Sequence, residues 1–176
     1  EWAVAESKRE GSDYYGKLDA SKIALMGQSA GGILATSLMS DTRVKTIILW
    51  NSSMTMPFGV TPEVEAQAAK KAAEAKVPIA IFVGDTDMAI PNGLKTYNLL
   101  KDNSSVPAFY AVRVIPGDAH GGTFREVNGG GYSPVGIAWL NWHLKGDNEA
   151  AKMFTGKNPG ILNDPAWIEY LKVNIK

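Results

Sequence analysis

The sequence contains no cysteine. That excludes thiol nucleophiles, disulfide scaffolds and cysteine-based zinc sites, and it leaves the cellular compartment open. Histidine is nearly as scarce: His120 and His143 are the only two, too few for a histidine-rich metal centre. Neither sign of charge is in surplus. Eighteen Lys+Arg balance eighteen Asp+Glu, for a formal net charge of zero. Nucleic acid or an anionic membrane as main partner calls for a basic excess, so neither is expected. Long hydrophobic runs are also missing. Stretches such as Val77–Val83 are far too short to span a bilayer. What remains is a chain of 176 residues, 45% of them hydrophobic. That suits one domain with a sizeable core and no need for covalent staples.

Alternation organises the chain. Apolar runs at Lys22–Met26, Thr46–Trp50, Pro78–Val83 and Ala108–Ile115 read as strands. Helical stretches separate them: Ile33–Leu38, a run from Thr61 (N-cap) and Pro62 (first turn) to Lys76, and Pro91–Lys101. An amphipathic helix follows the last strand at Ser133–Lys145, and a short one precedes the first near Trp2–Glu10. Strands separated by helices predict βαβ units, hence an α/β fold with a parallel sheet and helices on both faces. The near-continuous apolar strands fit burial on both sides. Residues 147–176 read as a helical tail on the sheet edge, with its second helix near Ala166–Leu171.

Gly27-Gln28-Ser29-Ala30-Gly31 fits the pattern G-x-S-x-G. The string alone is weak, because Gly, Ser and Ala are common. Its setting strengthens it, since it directly follows a strand and opens a helix. Such a turn strains the serine backbone and lifts its Oγ above the sheet, and the Ala30 N–H then faces a developing oxyanion. A phosphate-binding turn is the rival, but the chain has neither G-x-G-x-x-G nor Gly-Lys-Ser/Thr here. A serine nucleophile on this turn needs an acid and then a histidine, in that chain order. Asp85 and Asp87 follow the third strand, and His120 follows the fourth. Both positions lie at C-terminal strand ends, where open α/β sheets place their sites. His143 sits mid-helix beside Trp142, with no turn to present it, and Asp118 suits shaping the turn before His120.

These residues resemble the α/β-hydrolase superfamily. The run Gly16–Asp19 with Lys22–Gly32 looks like its elbow region. The most similar branch holds dienelactone-hydrolase-like esterases, cutinase-like lipases and polyester hydrolases. There the acid sits in Gly-x-x-Asp-x-x-x-Pro. Gly84, Asp87 and Pro91 match it, so the resemblance implies Asp87 rather than Asp85. Gly117-x-x-His120 is similar to the histidine loop, and Gly136–Leu140 with Leu144–Asp147 and Phe154 to the C-terminal helix.

The resemblance implies a serine hydrolase that cleaves carboxylic esters through an acyl-enzyme, with Ser29, Asp87 and His120 as its triad. It implies no cofactor and no metal, a small-molecule or polymeric ester as substrate, and a secreted or periplasmic setting. Trp50 falls where polyester hydrolases carry an aromatic substrate contact, and Gln28, beside the nucleophile, and Met88, in a loop on the same side, are expected to bind substrate as well. Gln28 stands where the branch more often has His, and Trp50 reads equally well as a strand-end core residue. The superfamily sheet usually has eight strands with the nucleophile after the fifth, whereas Ser29 follows the first strand recognisable here. The chain is therefore expected to correspond to the C-terminal part of such a domain. An Ile23–Met26 strand with one bare edge would then invite self-association or pairing with an upstream fragment. The alternative functions are a non-catalytic binding or assembly module and an acyltransferase.

Overall fold

The computed structural model describes residues Glu1–Lys176. Four strands pair side by side in chain order: β1 (Ile23–Gln28), β2 (Val44–Trp50), β3 (Ile79–Gly84) and β4 (Ala108–Arg113). All are parallel to their neighbours. The helices α2 (Ala30–Ala35), α3 (Pro62–Ala73) and α4 (Ile90–Asn103) connect them, and a five-residue α1 (Trp2–Glu6) precedes β1. With right-handed crossovers, a strand order that marches one way puts every connecting helix on the same face. The opposite face is covered by α5 (Tyr132–Lys145) and by the chain beyond it, including α6 (Asn148–Ala151).

Strand side chains alternate between these two faces because the strand period is two. Ile47, Leu49, Ile79, Ile81 and Tyr110 pack with Ala68 and Ala72 of α3 and with Tyr97 and Leu100 of α4. Their neighbours Ile48, Trp50, Phe82 and Phe109 pack with Tyr132, Val135 and Trp139 of α5, and with Phe154. A polar pair on that side is satisfied: the Trp139 indole N–H donates to Thr46 Oγ1 at 2.6 Å, and that hydroxyl donates to the Pro78 carbonyl at 2.9 Å. Helix starts follow the local chemistry. Thr61 caps α3, accepting from the Val64 amide at 3.4 Å, with Pro62 in the first turn.

The tail departs from the sequence expectation. The stretch expected to form a helix near Ala166–Leu171 is a strand, β5 (Trp167–Val173), antiparallel to β4. The sheet is thus mixed rather than wholly parallel. Residues 108–113 of β4 have an outer edge whose N–H and C=O groups need partners, and β5 supplies them. Its composition (Trp167, Ile168, Tyr170, Val173) suits a pleated, half-buried surface. At the other edge β1 pairs only with β2. Its residues are half-buried rather than buried, and Met26 is 50% exposed. No helix is long and apolar enough to cross a membrane.

Candidate active site

Between β1 and α2 the chain reverses at a single residue. Ser29 has φ 52° and ψ −124°, a conformation that side-chain-bearing residues rarely adopt and that costs about 1–3 kcal/mol. The surroundings over-determine it. The Ser29 amide donates to the Trp50 carbonyl at 3.1 Å. The Ser29 carbonyl accepts from the Gly32 amide at 3.0 Å and from Ser52 Oγ at 2.6 Å. Close approach here requires glycine at two positions. A Cβ on Gly27 would lie 2.2 Å from the Gly31 carbonyl carbon, and one on Gly32 would lie 2.3 Å from Ser52 Oγ. Gly31, the final glycine of the sequence motif, faces open space. The steric demand falls on Gly32 instead.

His120 reaches Ser29 from the β4 side of the sheet. It sits in a 3-10 turn, Ala119–Gly121, capped by Asp118, whose carboxylate accepts from the Gly121 amide at 3.0 Å. Its Nε2 lies 3.0 Å from Ser29 Oγ, and its Nδ1 lies 2.8 Å from Asp87 Oδ1. The Asp87 side chain is fully buried, and the same Oδ1 also accepts from the Ala89 amide at 2.9 Å. Asp87 Oδ2 has no partner. The three sequence-named residues therefore form one hydrogen-bonded line. Asp85 lies outside it. Its Oδ1 accepts from the Ile115 amide at 3.0 Å, tying the end of β3 to the chain after β4.

His143 is far from this line in character as well as place. Its ring packs on Trp139 and Trp142, with centroids 4.3 Å from each. Burial holds its pKa down at about 4, so it is neutral at physiological pH. The folded state therefore binds this proton less readily than the unfolded chain does. The contribution to stability is complete above the unfolded value near 6.5, and it is lost as pH falls from there toward 4. Thermal melts at pH 7 and pH 4.5 should show a larger drop for the wild type than for His143→Gln. Equal drops would take His143 out of the acid transition.

Two residues expected against substrate are placed elsewhere. Trp50 is 6% exposed, stacked between Phe82 and Tyr132 at 5.0 Å from each. Strand parity points its indole to the α5 face, away from Ser29. Gln28 turns to the histidine loop, where its Nε2 donates to the His120 carbonyl at 2.9 Å. A second amide shares that carbonyl: Asn51 Nδ2 donates to it at 3.0 Å. Asn51 Oδ1 accepts in turn from the Gly84 amide at 3.0 Å and from the Tyr132 hydroxyl at 2.7 Å. This buried residue, with φ 46°, joins the end of β3, the histidine loop and α5. Sequence reasoning passes over it. The available signal was an asparagine, tolerant of positive φ, directly after the strand beside the elbow.

Met88 lies beside the serine and histidine. It lines a cavity of about 130 Å³ that opens on Ser29 and His120, together with Ile33, Met56, Phe58 and Ala89. Asn51, Ser52, Ser53, Thr55 and Pro57 complete it. No group of three His, Asp or Glu side chains is arranged to hold a metal ion.

Neither a protein-family model nor a curated protein matches the chain. Among solved structures it is similar to the acylaminoacyl peptidase of Pyrococcus horikoshii, with a TM-score of 0.61 at 15% identity. The match covers 85% of this chain and 27% of that one, so the chain spans about a quarter of that protein's length. Likeness at this identity speaks to the fold. The five-stranded mixed sheet with its helices is α/β-hydrolase-like.

Proposed function

We propose that the site is that of a serine hydrolase acting on carboxylic esters. The observation that carries this is the unbroken line from Ser29 Oγ through His120 to a buried Asp87, set above a strained turn. In this reading Ser29 Oγ attacks the ester carbonyl carbon while His120 Nε2 removes its proton. The tetrahedral intermediate collapses, and His120 returns the proton to the departing alcohol. Water then attacks the acyl-Ser29 ester by the same route, releasing the acid and restoring the hydroxyl. Asp87 keeps the imidazole in the tautomer whose Nε2 accepts, and it stabilises the imidazolium that forms. The Ala30 amide, first in α2, has no partner within its own helix and is one donor to the oxyanion.

The fold likeness to a peptidase supports hydrolysis as the kind of reaction. The restriction to esters, and the dienelactone-hydrolase-like branch, rest on the sequence resemblance. Asn51 and Gln28 act as positioning residues, gripping the backbone of the residue whose ring does the chemistry. A non-catalytic assembly module is the second reading, favoured by the one-sided pairing of β1 and the exposure of Met26.

A fluorophosphonate probe separates the two. It should label the folded chain at Ser29, located by peptide mass spectrometry, and should leave Ser29→Ala unlabelled. A folded wild-type chain that takes up no label would overturn the hydrolase reading in favour of the module.

A further inference from the structure

The cavity beside Ser29 has a wall built to hold its shape. The Met54 amide donates to Thr96 Oγ1 at 2.9 Å, and that hydroxyl donates to the Asn92 carbonyl at 2.8 Å. Asn92 Nδ2 then reaches the Met56 carbonyl at 2.6 Å. Residues 54–56 are thus fastened at two points to α4, the helix directly preceded by Met88 and Ala89, which also line the cavity. Exposure grades from floor to mouth. Ser53 and Ala89 are buried, whereas Met88 is 59% and Phe58 68% exposed.

Size and charge then bound what fits. The volume is about 130 Å³; for scale, a dry cavity of about 150 Å³ in another protein accommodates benzene, six heavy atoms. About five heavy atoms fit here. No Lys, Arg, Asp or Glu lines the cavity, and His120 is its one titratable group. A charged acyl chain would enter without a counter-charge, which is strongly disfavoured. The hydroxyl of Ser53 is occupied, donating to the Thr55 carbonyl.

We infer that this cavity is the acyl site and that it takes neutral acyl groups of two to four carbons, excluding long-chain, succinyl and aminoacyl groups. A butyryl group, five heavy atoms with its carbonyl oxygen, fills it. An octanoyl chain exceeds the cavity by four carbons and can enter only by displacing Phe58 and Met88 at its mouth, which costs binding. The inference rests on the proposed serine-hydrolase reading of the same site.

The test is kcat/KM on p-nitrophenyl acetate, butyrate, hexanoate and octanoate, and on the hemisuccinate, with fluorophosphonate labelling of the same preparation. Each buried methylene is worth up to about fourfold, so butyrate should exceed acetate by about tenfold. Octanoate should fall about tenfold below butyrate, and the hemisuccinate should be the poorest. Ala89→Val should reduce butyrate turnover more than acetate turnover. If that variant fails to fold, Phe58→Ala at the exposed rim serves instead, and it should raise the octanoate-to-butyrate ratio. Octanoate hydrolysed as fast as butyrate, or hemisuccinate as fast as butyrate, with Ser29 labelled, would overturn the acyl-site assignment and leave the hydrolase standing. No turnover of any ester and no label would overturn the hydrolase reading beneath it.

Discussion

Replacing Ser29 by Ala should remove nearly all ester turnover, a loss of about 10⁴–10⁶-fold in kcat, with little change in melting temperature. His120→Ala should cost about as much. The double variant should be scarcely worse than either single one, because the two act as a unit: a hydroxyl without its base and a base without its hydroxyl are equally idle. The structural ground is the 3.0 Å contact between His120 Nε2 and Ser29 Oγ. The replacements are also conformationally mild. The strain at φ 52° belongs to the backbone, and Ala meets it as Ser does. The measurement is kcat on p-nitrophenyl acetate, with circular dichroism and thermal melts as the check on folding. Losses that multiply in the double variant, as independent effects would, would show that Ser29 and His120 do not share one step.

The second large effect belongs to the acid. Asp87→Asn should lower kcat by about 10⁴-fold, whereas Asp85→Asn should leave it within a few-fold. Asp87 Oδ1 accepts at once from the Ala89 amide and from His120 Nδ1. An asparagine that keeps its oxygen on both still loses the charge that stabilises imidazolium. One that turns its NH₂ toward the ring forces the tautomer whose Nε2 carries the proton and cannot accept Ser29's. Asp85 has a different task, accepting from the Ile115 amide at 3.0 Å, and an amide oxygen can do the same. Its replacement should appear in stability rather than in turnover. Steady-state kinetics and melts on the two variants decide the matter. A crippled Asp85→Asn beside a mild Asp87→Asn would move the acid to Asp85.

The elements easiest to read from sequence are those whose signal is local. The apolar runs of β1 to β4 and the Thr61-Pro62 start of α3 each carry their pattern within a few residues, and each forms where expected. The strand-to-helix setting of Ser29 is equally local. The order Ser29, Asp87, His120 is legible because parallel strands all end on one side, so residues after the ends of β1, β3 and β4 are brought together without long-range guesswork. The elbow glycines were half legible. Gly27 is sterically required, but the motif's Gly31 stands open while Gly32 carries the contact with Ser52, and Ser52 belongs to a different strand end.

Composition, the strand–helix alternation and the strand-end positions of Ser29 and His120 are legible in the sequence alone, because each depends on neighbours along the chain; the choice of Asp87 over Asp85 came from the family resemblance. The tertiary structure decided the rest. Whether Trp167–Val173 coils or pairs depended on the free edge of β4, more than fifty residues earlier. Whether Trp50 faced substrate or core depended on the parity of β2 against α5. Asn51 became the joint between β3, the histidine loop and α5 only once Gly84, His120 and Tyr132 had converged on it. Hydrogen-bond and packing partners far apart in the chain carry no periodic trace in sequence, and the free energy that selects them exists only after the sheet has closed around them.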